Sequence, residues 1–141
     1  RIMCLSEYVA RAMRQRYAAP VAYYLHPINT NLPSPIEKTE ARKTLNLNAD
    51  NQVLLFFGLV RKYKGLDLLI EAIGLLPAKY SKLKLLIAGE FYDKPDAYIA
   101  QIARLGLTER VLIHDHFIAQ EALAQYFSAA DMLCATYRSA S

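Results

Sequence analysis

The sequence predicts an α/β protein, a three-layer αβα sandwich on a mainly parallel sheet with right-handed crossovers. Three observations carry that expectation. Apolar runs of strand length recur at residues 53–57, 83–88 and 111–113, and the first is unbroken by any polar residue, as expected of a parallel strand covered on both faces. Each run is followed by a stretch whose apolar residues fall at helical spacing. Strand and helix alternate in this way along the chain, the order that builds βαβ units. With 141 residues, 54% of them hydrophobic, the chain has the length of one domain and enough apolar material for a sizeable core.

The elements read in order. Ile2-Met3-Cys4-Leu5 is a short apolar run, Ser6 follows as a helix N-cap, and Glu7 stands in the first turn, where a carboxylate suits the positive end of the helix dipole. Val9, Ala12 and Met13 recur at helical spacing, Arg14 and Arg16 fall near the end of that helix, and Ala19-Pro20 stops it. Residues 21–25 are strand-like and break at His26-Pro27, because the residue before a proline is pushed out of the helical region. Residues 26–36 hold Pro27, Pro33 and Pro35 among Asn29, Thr30 and Asn31 with no periodicity, and form the best linker in the chain.

Val53-Leu54-Leu55-Phe56-Phe57 is the next strand and ends at Gly58. Beyond the loop 59–65, Leu66, Leu69, Ile70, Ile73 and Leu76 follow helical periodicity with Asp67 and Glu71 turned outward, until Pro77 ends the helix. Residues 83–88 are again a strand and stop at Gly89. A helix near 95–104 closes at Gly106, and a strand follows at 111–113. A last helix puts Leu123, Tyr126, Phe127 and Ala130 on one face before a strand at 132–135. No helix follows that strand, so the chain is expected to be a piece of a longer polypeptide.

Composition narrows the function classes. Seventeen Lys and Arg against thirteen Asp and Glu leave a formal charge of +4, which permits an anionic partner without demanding one. Arg1, Arg11, Arg14 and Arg16 share the first segment with only Glu7 opposing them, either as a solvated helix face or as a surface for phosphates. Cys4 and Cys134 lie at opposite ends with no C-x-x-C and read as buried reduced thiols. No apolar signal segment and no N-x-S/T acceptor is present, which favours a reducing, cytoplasmic setting. No apolar run approaches the roughly 18 residues of a membrane span. No G-x-S-x-G marks an activated serine.

In doubly wound sheets the ligand lies at the carboxyl ends of the strands, so the residues directly after each apolar run are the informative ones. After residues 53–57 comes Gly58-Leu59-Val60-Arg61-Lys62-Tyr63-Lys64-Gly65, three cations bounded by two glycines and opening a helix. Gly58 lets a ligand approach the backbone, the helix start offers unpaired N–H groups, and Arg61 and Lys64 add charge-assisted donors. Together they suit a diphosphate. The competing reading is a solvated basic loop, because lysines ahead of a helix oppose its dipole. The spacing fits neither G-x-x-x-x-G-K-[ST] nor G-x-G-x-x-G.

The loop resembles that of the group 1 glycosyltransferases, the retaining family-four enzymes of GT-B fold, whose donor domain carries a strand, then G-R-L-x-x-x-K-G, then an amphipathic helix. Lys64 keeps the family's Gly-to-Lys spacing, while Leu59 stands where the family has arginine and Arg61 follows two places later. Leu85-Leu86-Ile87-Ala88-Gly89-Glu90, residues 111–118 and residues 123–133 continue the resemblance, the last similar to L-x-x-x-Y-x-x-A-D-V. Upstream, Leu5-Ser6-Glu7-Tyr8-Val9 and His26-Pro27-Ile28-Asn29 are similar to the junction where the family's chain enters the donor domain.

What the resemblance implies is specific. The fold would be the Rossmann-like half of a GT-B fold, with residues 1–36 as an interdomain junction segment and linker packing on the domain and residues 37–141 as a partial nucleotide-sugar donor-binding domain. The substrate would be a nucleotide diphosphate sugar such as a UDP- or GDP-sugar, with no other cofactor. Gly58, Arg61 and Lys64 would hold its diphosphate, and Gly89, Glu90, Phe117 and Ile118 its base and ribose, Glu90 being as well suited to a solvated loop. No catalytic residue is assigned in this chain. His114-Asp115-His116 puts two imidazoles on one strand face, too few for a metal, and is read as a satisfied pair or a neighbour of ribose or base. The family's two-glutamate signature would begin around residues 137–141, where Tyr137-Arg138-Ser139-Ala140-Ser141 has no glutamate.

The activity so implied is sugar transfer with retention to a saccharide or lipid-linked saccharide. The setting would be cytoplasmic, with peripheral membrane contact in the full-length protein and no nucleic acid. The alternative is a non-catalytic nucleotide or phospho-ligand binding α/β module. A response-regulator-like or oligomerisation domain would want clustered acids at the strand ends, and these strand ends are basic.

Overall fold

A computed structural model describes residues 1–138, which fall into two compact units, Arg1–Asn31 and a second that begins at Leu32. The first is a single βαβ motif. β1 (Ile2–Cys4) and β2 (Val21–Tyr23) pair in parallel, Ile2 opposite Val21, and α1 (Glu7–Arg16) makes the crossover. Ser6 occupies the N-cap with extended dihedrals, but its hydroxyl makes no capping bond. The helix bears on the strand pair through Ala10, which is fully buried, while Val9 and Ala12 are exposed and Met13 is half-buried. It ends at Arg16, one turn before the expected Ala19-Pro20 stop.

The second unit holds α2 (Lys38–Thr44), β3 (Gln52–Phe57), α3 (Leu66–Gly74), β4 (Leu83–Ala88), α4 (Asp96–Arg104), β5 (Val111–His114), α5 (Leu123–Ala129) and β6 (Met132–Leu133). Its four strands are all parallel in the order β5-β4-β3-β6, with Leu54 opposite Leu85 and Leu55 opposite Leu133. Side chains alternate across β4: Leu85 and Ile87 enter the cluster built with Leu66, Ile70 and Ile73 of α3, and Leu86 and Ala88 the cluster built with Ala41 of α2 and Tyr126 of α5. Each large apolar side chain so buried contributes about 1.5–3 kcal/mol by leaving water. The expected αβα sandwich is therefore present, with β3 and β4 at its centre.

Three details depart from the sequence reading. Asp67 and Glu71 do not simply face solvent. Glu71 Oε2 accepts from Gln101 Nε2 at 2.9 Å and pairs with Arg104 at 3.2 Å, tying α3 to α4, and Asp67 is half-buried. In α5 the buried residues are Ala124, Tyr126 and Ala129, whereas Phe127 is exposed and leans on Phe57, ring centroids 4.9 Å apart. These two rings edge an open apolar cavity of about 520 Å³ with Leu32 and Pro35.

The third is α2, which sequence reading passes over. Its buried residues are Ala41 and Arg42. Arg42 Nε donates to the Ala129 carbonyl at 3.0 Å, Nη1 to that of Ala49 at 2.7 Å, and Nη2 to Asp131 Oδ2 at 2.6 Å. Asp131 also accepts from the Val53 N–H at 2.7 Å and from Lys38 Nζ at 2.9 Å. Burial pushes the Asp131 carboxyl up, but the Val53 N–H, Lys38 and Arg42 together outweigh it and hold the group below its ordinary value.

Candidate functional site

The carboxyl ends of β3 and β4 meet through two glycines. The Gly58 N–H donates to the Ala88 carbonyl at 2.9 Å, and the Gly89 N–H to that of His114 at 3.1 Å. Gly58 has φ +89° and Gly89 φ +134°, values that side chains resist. A Cβ added at Gly89 would lie 2.5 Å from the Gly58 carbonyl oxygen, so glycine alone permits this approach.

From Gly58 the chain runs beside the stretch that follows β4. Val60 is buried, its N–H donates to the Glu90 carbonyl at 2.8 Å, and its own carbonyl accepts from the Tyr92 N–H at 3.1 Å. Phe91 pairs with Val60 in a parallel bridge, and its N–H donates to Asp115 Oδ1 at 3.0 Å, which joins the end of β5 to the same assembly. Residues 62–64 make a 3₁₀ turn, and Gly65, at φ +68°, turns the chain into α3. Thr136 closes this end. Its hydroxyl donates between the Lys64 carbonyl at 3.0 Å and the Gly65 carbonyl at 2.9 Å, while a Cβ at Gly65 would stand 2.2 Å from the Thr136 carbonyl oxygen. The Arg138 N–H donates to the Tyr63 carbonyl at 2.8 Å, the Tyr63 and Tyr137 rings stack with centroids 5.9 Å apart, and the Arg138 guanidinium pairs with Asp67.

The loop thus held concentrates positive charge. The Lys64 ammonium occupies the room that glycine leaves at position 58: a Cβ there would lie 3.3 Å from Nζ. Burial and then the charge of Arg61 push the Lys64 pKa below that of an ordinary lysine. The Arg61 guanidinium carbon lies 4.3 Å from the centroid of the Tyr92 ring. Among the described residues no carboxylate pairs with Arg61, Lys62 or Lys64. Two cations without a carboxylate partner thus stand between the end of β3 and the start of α3, at the end of a parallel sheet where ligands are to be sought.

Of the residues expected at the site, the fold brings Gly58, Arg61, Lys64 and Gly89 together. The Glu90 side chain is exposed and its carbonyl serves Val60. Phe117 is 73% exposed, whereas Ile118 turns its side chain into the core with Tyr126. Any ligand contact of Ile118 is left to its backbone. His114 Nδ1 lies 2.9 Å from the Tyr126 hydroxyl and its ring stacks 6.0 Å from that of His116, so the histidine is satisfied. Burial, then the neighbouring His116, pushes its pKa down. Among the described residues no group of three metal-ligating side chains occurs. Ser139, Ala140 and Ser141, part of the stretch where the glutamate signature would begin, lie outside the described residues. Thr136 and Tyr92 were not foreseen, although both stand just beyond strand-like runs, where ligand-facing residues are to be sought.

Comparison with known proteins places this geometry. Residues 37–140 match the family model described as glycosyl transferases group 1. A D-inositol 3-phosphate glycosyltransferase of Thermobispora bispora is 30% identical over 134 residues, covering 87% of this chain and 31% of that protein. Among solved structures, WaaG, a glycosyltransferase involved in lipopolysaccharide biosynthesis, superposes with a TM-score of 0.78 at 21% identity over 93% of this chain and 36% of its own. The Anabaena protein Alr3699/HepE, solved in complex with UDP-glucose, gives 0.73 at 24% identity over 93% and 36%. These likenesses establish the GT-B type of α/β fold, and the chain spans about a third of the length of the proteins it matches.

Proposed function

The chain belongs to the group 1 glycosyl transferases, and from that premise we propose that its second unit binds a nucleotide diphosphate sugar for transfer of the sugar, with retention, to a saccharide or lipid-linked saccharide. The observation that carries this reading is the Lys64 ammonium seated against Gly58 beside Arg61, with no carboxylate among the described residues to neutralise either. The UDP-glucose complex of the Anabaena protein supports the ligand class.

Mechanism follows from where charge develops. As the bond between the anomeric carbon and the diphosphate breaks, negative charge grows on the leaving phosphate. Lys64, already seated against Gly58, and Arg61, with the N-terminus of α3, would stabilise that charge. The like-charge repulsion between Lys64 and Arg61 is relieved at the same time. Glu90 and Phe117 would border the ribose and base. The rest of a full-length protein would hold the acceptor against the anomeric carbon, an orientation that supplies much of the rate. The free thiols Cys4 and Cys134 suit a cytoplasmic setting, and membrane contact would belong to the full-length protein.

Calorimetric titration with UDP and with GDP tests the reading. Lys64→Ala should weaken binding of the preferred nucleotide by about 1.5–3 kcal/mol, the range for a hydrogen bond to a charged group. Equal affinity in the two proteins would put the diphosphate elsewhere.

A further inference from the structure

Arg61 differs from the other arginines of its unit in what restrains it. Arg42, Arg104 and Arg138 each pair with a carboxylate and Arg110 Nε donates to the Leu83 carbonyl, whereas Arg61 has an aromatic ring instead. A guanidinium lying over a ring uses its flat face and leaves the N–H donors at its edge free for phosphate oxygens. The ring itself is placed by main chain. Tyr92 is joined to Val60 through its N–H, next to the Val60–Phe91 bridge and the bond from Phe91 to Asp115, none of which involves the Tyr92 side chain. Without the ring, Arg61 would be a long, exposed side chain ahead of the 62–64 turn, free to sample many rotamers that an anion would have to freeze.

We propose that Tyr92 is a positioning residue for the donor diphosphate: its ring holds the Arg61 guanidinium at the loop before the nucleotide arrives, so that less ordering is charged against binding. In this chain Leu59 stands directly after Gly58, and the arginine comes two residues later, where it needs a support from outside the loop. Tyr92, from the neighbouring strand end, is that support. The inference rests on the reading of the loop as a diphosphate site.

The test is a double-mutant cycle on the intact chain, with UDP affinity as readout and thermal unfolding alongside. Tyr92→Leu should weaken UDP binding about 2–5-fold, as for a solvent-exposed cation–π contact. Tyr92→Phe, which keeps the ring, should bind as wild type does. In an Arg61→Ala background Tyr92→Leu should cost nothing further. An equal loss in both backgrounds would mean that Tyr92 acts on the nucleotide independently of Arg61 and would overturn the proposal, as would unchanged affinity in Tyr92→Leu or a loss in Tyr92→Phe as large as in Tyr92→Leu. If Arg61→Ala has no effect while Lys64→Ala does, the positioning role falls and the diphosphate site stands. If neither matters, both fall.

Discussion

Arg42 and Lys64 are cations of the same unit, each drawn out of water, and their surroundings are opposite. Around Arg42 every direction is answered: two backbone carbonyls and the Asp131 carboxylate take its donors, and Asp131 is in turn bonded to Val53 and Lys38. Around Lys64 the charge that shifts it is another cation, Arg61. The first arrangement is complete and holds α2, α5 and the start of β3 together. The second is a charge deficit, and the fold tolerates it at the one end of the sheet where ligands gather. Completeness of partners, rather than burial, separates a structural cation from a receptive one.

The comparison is broken most severely at Arg42. Arg42→Ala leaves Asp131 without its buried partner and the Ala49 and Ala129 carbonyls without a donor. About 3 kcal/mol of stability should be lost, at the low end of the cost of breaking a buried pair because Asp131 keeps some water. Urea unfolding measures this, and nucleotide affinity of the folded fraction should stay as in wild type. A drop in affinity without loss of stability would merge the two regions that are here held apart.

A smaller effect separates the loop cations from each other. Arg61→Ala should weaken diphosphate binding by about 1.5–3 kcal/mol, while Lys62→Ala, exposed at the turn, should change it little. A larger effect from Lys62 would show that the loop presents its other side to the ligand. Thermal unfolding should hardly move in either variant, in contrast to Arg42→Ala.

The smallest expected effect is on pH dependence. Lys64 has a lowered pKa in the free protein, and an anion beside it raises that pKa again, so binding takes up a fraction of a proton. Affinity for UDP should therefore fall as pH rises toward the ordinary lysine range, beginning below it. Titration of the nucleotide itself contributes equally to a Lys64→Arg variant, whose guanidinium stays charged. The steeper profile of the wild type relative to that variant is the signature, and parallel profiles would remove Lys64 from direct contact with the phosphates.

The centre of the fold was legible in the sequence because it is written in local pattern. Val53 to Phe57 and Leu83 to Ala88 announce themselves as strands, and the periodicity from Leu66 to Ile73 points its apolar stripe at the core as observed. What escaped is set by partners distant in sequence. In α2 only Ala41 is an apolar residue among Lys38, Thr39, Glu40, Arg42, Lys43 and Thr44, and its place depends on bonds to Ala129 and Asp131. Glu71 looks outward in the sequence because its partners, Gln101 and Arg104, lie a whole helix later. The loop 58–65 could be picked out from its glycines and cations, yet the residues that hold it, Thr136 and Tyr92, have no charge pattern and declare themselves only when the strand ends are brought side by side. Ile118 shows the reverse, a residue expected at the mouth of the sheet whose side chain serves the core.

The strand order has a consequence for synthesis. β3 is flanked by β4, which follows it closely, and by β6, which begins 75 positions after Phe57. At about 5–20 residues per second on the ribosome, one row of N–H and C=O groups along β3 stays uncovered for roughly 4–15 s after it is made. The carboxylate that will bond to the Val53 N–H, Asp131, emerges only with the strand that ends this exposure. Until then the nascent chain presents an open edge ready to pair with any extended segment nearby, so the interval between β3 and β6 is one in which this strand is exposed to misassembly.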